Sequence, residues 1–297
     1  MVTLRLGTRG SALARRQTDL VRDALVAAHP GLSIATVEVK TEGDRRQDVP
    51  LEEMGGQGVF VKEIEQRLLD GEIDIAVHSL KDMPSELPRG LTLGALLPRG
   101  DVRDALVARD GSDLAGLPPN ARIGSDSRRR AVQLIALRPD IEVASIRGNV
   151  DTRLRKVDAR EYDAVALAVA GLERLGLRER ATQVFSEHEV LPAAGQGAIA
   201  VECRSDNAET LALLTAIDHG PTRTATDAER AFLRAMGAGC RLPIAAYATL
   251  KGSTLHLDAM IADDDGKIYR GEATGDAGTA EHIGAGLAHT LRLEARV

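Results

Sequence analysis

Three groups of residues in this 297-residue chain have types and spacings that could do chemistry. The first is Lys81-Asp82, at the end of the stretch His78-Ser79-Leu80-Lys81-Asp82-Met83-Pro84. It follows the apolar run Ile73-Asp74-Ile75-Ala76-Val77, which reads as a buried strand. Parallel sheets place functional groups just past the carboxyl ends of their strands, and Pro84 stops the segment from continuing. A carboxylate there can stabilise a cation or move a proton. It can equally be a turn former or a helix cap.

The second group is an arginine cluster. Residues 122–160 hold ten cations and five acids, a net of +5, so the rest of the −6 chain carries −11. Arg128, Arg129 and Arg130 fall at the start of an expected helix, where backbone N–H groups favour anions. Cations there oppose the helix dipole unless an anion arrives. Ser125 and Ser127 add hydroxyl donors. Arg147-Gly148-Asn149 repeats the device at the next strand-to-helix turn, with Arg153 one turn on. Such turns suit a polycarboxylate or phosphate ligand, and a solvated basic face is the plainer alternative. The third group is Gly237-Ala238-Gly239-Cys240, a tight turn after a helix. A thiol so placed is accessible and could be a nucleophile. Cys203 lies in the apolar run Ala198–Cys203 and reads as a small packed side chain.

The elements that must hold these groups alternate. Strands are expected at Val2–Leu6, Ile34–Lys40, Ile73–Val77, Arg122–Gly124, Ile141–Ile146, Ala164–Val169 and Ala198–Cys203. Helices are expected at Ser11–Ala28, Val59–Asp70, Arg128–Leu137, Asn149–Ala159 and Leu172–Leu175. This α/β rhythm predicts largely parallel sheets. Pro/Gly-rich zones at 97–100 and 188–197 mark crossings between two domains. The expected organisation is 1–98 with 198–217, then 103–191, then an α+β domain at 220–297. That last part has a helix from Thr222 to Met236, two or three strands, and a final helix over Ala280–Leu293. Residues 41–58 carry charges, one Pro and four Gly without a period, as a lid does; a plain surface loop has the same composition.

Composition narrows the function. Aromatic residues are 2% of the chain and Trp is absent, which disfavours base-stacking platforms. The net negative charge disfavours a generally basic nucleic-acid binder. Two cysteines and seven scattered histidines form no disulfide framework and no zinc set, so no metal is expected. No stretch reads as a signal region or a membrane span, so a cytoplasmic location is expected. Of the 38 cations, 32 are Arg. A GC-rich genome would give that bias, and so would recognition of carboxylates by guanidinium forks.

Several strings fit one known family in order: Gly7-Thr8-Arg9-Gly10-Ser11, Val77–Pro84, Arg147-Gly148-Asn149 with Thr152-Arg153, Leu167–Leu177 (LAVAGLERLGL), Leu191–Gly197 (LPAAGQG) and Gly239-Cys240. Together they resemble the porphobilinogen deaminase (hydroxymethylbilane synthase) family over nearly the whole chain. The resemblance implies an α/β fold. Two domains like periplasmic binding proteins flank a cleft, and a smaller α+β domain follows. It implies a transferase that joins four porphobilinogen molecules head to tail with loss of ammonia, then releases hydroxymethylbilane by hydrolysis.

The resemblance also implies a dipyrromethane cofactor, one per chain, held by a thioether at Cys240. Asp82 is implied to be catalytic, stabilising positive charge on pyrrole nitrogens and taking part in proton transfer. Lys81, Asp82, Ser127, Arg129 and Arg130 are implied to bind the cofactor. Arg9, Ser11, Arg147, Arg153, Arg174 and Gln196 are implied to bind substrate, and Asp44 and Asp48 fall in the lid. The family pattern further implies a monomer with no nucleic-acid or membrane partner, whose product passes to uroporphyrinogen-III synthase. Three departures stand out: Gln57 where Lys is usual, Asp126 and Arg128 where Ser and Leu are usual, and Ala238 where Gly is common. Asp126 and Arg128 are expected to offset each other. The rival readings are a solute-binding protein, which needs neither Cys240 nor a third domain, and an arginine-patch nucleic-acid binder.

Overall fold

The computed structural model describes residues 3–41, 61–237 and 243–296. In chain order the strands are β1 (Thr3–Arg9), β2 (Ser33–Val39), β3 (Ile75–Ser79), β4 (Leu91–Leu96), β5 (Asp104–Ala108), β6 (Arg122–Gly124), β7 (Glu142–Ala144), β8 (Ala164–Ala168), β9 (Gln183–Val184), β10 (Ile199–Arg204), β11 (Ile244–Lys251), β12 (Thr254–Ala262) and β13 (Ile268–Asp276). The helices are α1 (Ala12–Ala28), α2 (Lys62–Leu69), α3 (Arg128–Leu137), α4 (Val150–Asp158), α5 (Val169–Arg174), α6 (Ala208–Thr215), α7 (Gly220–Met236) and α8 (Ala280–Ala295). Among the described residues, no helix is long and apolar enough to cross a membrane.

The chain groups into two compact units. One is Met1–Arg99 with Ala198–Arg223, and the other is Gly100–Gly197 with Thr224–Val297. The first unit is built on a five-stranded sheet of order β2-β1-β3-β10-β4. Strand β1 runs parallel to β2 and β3, while β10 is antiparallel to both β3 and β4. Leu4 and Leu6 of β1, Val21 and Leu25 of α1, and Ile75 and Val77 of β3 share one core cluster. Fully burying each such side chain stabilises the fold by roughly 1.5–3 kcal/mol. Helix α1 starts at Ser11, whose hydroxyl accepts a hydrogen bond from the Ala14 amide at 3.2 Å.

The second unit repeats the plan with the order β7-β6-β8-β5-β9. Here β6 is parallel to β7 and β8, and β5 is antiparallel to β8 and β9. The same unit holds an antiparallel sheet, β11-β12-β13. Leu255, Leu257, Ala259 and Ile261 alternate along β12 and pack in one cluster with Ala225, Ala228 and Phe232 of α7 and Leu287 and Leu291 of α8.

The expectation of largely parallel sheets needs correction, because each five-stranded sheet has two antiparallel pairings. In each sheet the reversed strand, β10 or β5, comes directly after the chain has crossed between units. Four elements were not anticipated: β4, β5, β9 and α6. Strand β4 hides its period because Gly94 interrupts it, and a Cβ there would lie 2.3 Å from Leu214 Cδ1. Strand β3 also starts two residues later than expected. Asp74 lies outside it, tied to Arg5 by two hydrogen bonds of 2.7 and 3.0 Å to the guanidinium and one of 2.8 Å to the amide.

Candidate active site

In the first unit, the carboxyl ends of the parallel strands β1 and β3 lie on one edge of the sheet, with Leu6 beside Ile75 and Gly7 beside Ala76. Arg9 ends β1, and Ser11 follows as the cap of α1. Strand β3 ends at Ser79 and gives way to a 3-10 turn, Leu80–Asp82, closed by the Met83 amide donating to the Leu80 carbonyl at 3.1 Å. Leu80 and Met83 are buried and anchor the turn, and Leu80 N–H donates to Ala198 O at 3.1 Å. Between those anchors Lys81 is half-buried and Asp82 is exposed. Gln17 of α1 donates to the Ser79 hydroxyl at 2.8 Å and fixes the strand end from below.

In the second unit, β6, β7 and β8 end on a common edge in the same way, and the arginines follow those ends. Ser127 caps α3, accepting from the Arg130 amide at 3.3 Å. Arg129 and Arg130, at 5% and 7% exposure, turn inward onto Asp104 at the start of β5. Arg130 Nε and Nη2 donate to Asp104 Oδ1 at 2.9 and 2.7 Å, and Arg129 Nη1 lies 2.7 Å from Oδ2. Arg129 also donates to Leu191 O at 2.6 Å, and Arg130 to Ala166 O at 3.2 Å. Burial opposes ionisation of Asp104, but the two guanidinium charges and their hydrogen bonds outweigh it and hold its carboxyl far below the usual range. For Arg129, burial pushes the guanidinium down, and the neighbouring Arg130 adds to that. These cations, expected to await an outside anion, have an internal one in Asp104.

Gln196 is fully buried, and its side-chain amide donates to Val102 O at 2.7 Å and Asp104 Oδ1 at 3.0 Å. Arg174, at the end of α5, donates to Gly197 O at 2.5 Å, and burial lowers its pKa. Gly197 has φ +86°, and a Cβ there would meet Gly100 O at 2.6 Å, so the two crossing segments touch through bare backbone. Arg147 precedes Gly148, whose φ is +111°. Arg153 donates to Gly148 O at 2.8 Å and to Asp126 at 3.3 Å. Asp126 in turn accepts from Ser145 Oγ at 2.6 Å and the Ile146 amide at 3.0 Å. Asp126 therefore braces the Arg147 turn and has Arg153 as an ionic partner.

Cys240, Ala238, Asp44, Asp48 and Gln57 lie outside the described residues. Cys203 is fully buried, and burial, with the nearby Glu202 charge, pushes its thiol up to about 11, as an inert packed cysteine requires.

Two groupings escaped the sequence reading. Behind the Asp82 turn, His78 Nε2 lies 3.1 Å from Glu202 Oε2, and both side chains are buried. Glu65 of α2 joins them, and burial together with the Glu202 charge raises its pKa to about 7. The HSLKDMP string contains His78, but nothing local signals partners 13 residues upstream and 124 downstream. On the C-terminal sheet, His256, Asp258 and Glu272 bring their ligand-type atoms within 4.8 Å of one another. A cavity of about 220 Å³ lies beside them, lined by His188, Leu191, Asp258 and Arg270 among others, and it includes none of the expected site residues.

Comparison with known proteins bears on what these edges do. The family model "Porphobilinogen deaminase, dipyromethane cofactor binding domain" matches residues 4–212, and "Porphobilinogen deaminase, C-terminal domain" matches residues 224–292. The porphobilinogen deaminase of Roseiflexus castenholzii is 50% identical over 97% of this chain and 95% of its own length. That of Syntrophotalea carbinolica is 48% identical over 97% of this chain and 92% of its own. Among solved structures, the methionine binding protein MetQ aligns at 11% identity with a TM-score of 0.48, covering 74% of this chain and 92% of that one. Matched along almost its full length by both models and by relatives at half identity, the chain belongs to the porphobilinogen deaminase family.

Proposed function

We propose that this protein is a transferase that joins porphobilinogen units head to tail with loss of ammonia and releases hydroxymethylbilane, with Asp82 as its catalytic carboxylate. The observation that carries the reading is the Leu80–Asp82 turn within a chain of this family. Two buried side chains hold it, and it presents one exposed carboxylate just past a parallel strand. A carboxylate so placed is free to face positive charge on a pyrrole nitrogen and to take up or return its proton.

The residues fit a ligand that carries carboxylates. Two buried arginines share one carboxylate, and Arg129 Nε has no hydrogen-bond partner among the described residues. Arg129, Arg130, Ser127 and Lys81 would hold a dipyrromethane, and Cys240 would attach it through sulfur. When bound, that group supplies a free pyrrole α-carbon for chain growth. Arg9, Arg147, Arg153 and Arg174 would pair with the acetate and propionate arms of incoming substrate, since guanidinium forks match carboxylates. Ser11 and Gln196 would orient these contacts. The C-terminal sheet with α7 and α8 would form a domain of its own over 220–297. The protein would act as a cytoplasmic monomer whose product passes to uroporphyrinogen-III synthase.

Replacing Asp82 with Asn tests the assignment. The variant is expected to retain its dipyrromethane and to lose at least about a hundredfold in bilane formation, within the span of general acid–base effects. Near-parental turnover would remove Asp82 from the mechanism.

A further inference from the structure

We propose that Asp104 is a positioning residue that sets the reach and net charge of the Arg129–Arg130 pair, so that the fold leaves one unit of buried positive charge for a ligand carboxylate. The inference rests on the assignment of these two arginines to ligand binding.

Two guanidiniums and one carboxylate leave a single positive charge, and all three side chains are at least nine-tenths buried. The described residues show no second acid against either arginine: their remaining bonds go to the neutral Leu191 and Ala166 carbonyls. An uncompensated buried charge is costly, so such a cluster is stabilised by an incoming anion. Asp104 does more than offset charge. Its Oδ1 accepts two donors of Arg130, which fixes the plane of that guanidinium. Its Oδ2 draws Arg129 Nη1 to 2.7 Å, while Arg129 Nε is left without a partner. Gln196 steadies Asp104 from behind, bonded to Oδ1 at 3.0 Å and to Val102 O at 2.7 Å. The LPAAGQG segment thus holds the arginine pair at two points, directly through Leu191 O on Arg129 and through Gln196 on Asp104.

Two variants and two readouts test this. Asp104→Asn removes the counter-charge and nearly preserves the shape. Its melting temperature should fall, and about 10 mM citrate at matched ionic strength should restore at least about 4 °C more than it adds to the parent. A packing role alone predicts the same loss with and without citrate, and that result overturns the proposal. Asp104→Glu keeps the charge and moves it by one methylene. It should melt within about 3 °C of the parent and yet carry dipyrromethane, by intact mass, in less than about a tenth of chains, because a small misplacement of a binding fork is expensive. Full loading of this variant overturns the proposal. Should one variant fail to fold, the other decides. A parent chain that takes up no dipyrromethane would instead refute the ligand assignment, leaving the citrate result to judge Asp104.

Discussion

Glu65, His78 and Glu202 show how one buried carboxylate can tie stability to pH. Glu65 has its pKa raised to about 7 by burial first and by Glu202 second, against the weaker opposing pull of His78 and Lys62. Folded, it therefore holds its proton over a range in which the unfolded chain, near 4.5, has released it. More protons bound in the native state means that stability falls as pH rises from about 4.5 through 7. Glu65→Gln keeps the neutral form at every pH. The variant should melt close to the parent at about pH 5 and above it at about pH 8. Equal differences at both values would refute the raised pKa.

Legibility at this scale followed charge. Asp82 and the arginines showed because charged residues past strand ends are conspicuous. Asp104 did not, since it sits in Asp101-Val102-Arg103-Asp104, where Arg103 suggests a local partner. Arg103 in fact binds Asp101 at 2.6 Å, and the arginine partners of Asp104 lie 25 and 26 residues on, with Gln196 farther still.

Among the elements, helices with clear starts were the most readable. Ser11 and Ser127 cap α1 and α3, each hydroxyl accepting from the amide three residues on, although Ser127 was read from the sequence as a donor. The short strands β5 and β9 carried little signal. Strand β5 is buried at every position, so it shows no alternation, and β9 has two residues. The turn before α4 depends on one glycine. Gly148 combines φ +111° with a Thr152 side chain whose Cγ2 would lie 2.6 Å from an added Cβ. Gly148→Ala should therefore cost about 1–3 kcal/mol, read from the denaturant midpoint, and displace Arg147 and Arg153 together. A cost under about 0.3 kcal/mol would show that the turn relaxes without strain.

For the whole molecule, the net charge of −6 disfavours a generally basic nucleic-acid binder but hides a local excess of cations. The +5 segment at 122–160 stands inside an acidic remainder. Much of it is spoken for: Arg138 pairs with Asp140, Arg153 with Asp126, and Arg129 and Arg130 share Asp104. The cations are thus parcelled into local pairs rather than spread as a broad basic field. The scarcity of aromatic rings fits the proposed grip on acid side arms, which would need little stacking. The α/β class was legible from the alternating rhythm. The antiparallel strands were not, because their direction is set by where the chain crosses and not by local pattern.

The central claim is that this chain builds a linear tetrapyrrole on a covalent primer at Cys240. Intact-mass measurement after incubation with porphobilinogen or preformed tetrapyrrole tests it most directly. The chain should become heavier by two pyrrole units, with the added mass on the peptide containing Cys240. A chain that stays at its sequence mass under those conditions, or gains the mass elsewhere, would contradict the account.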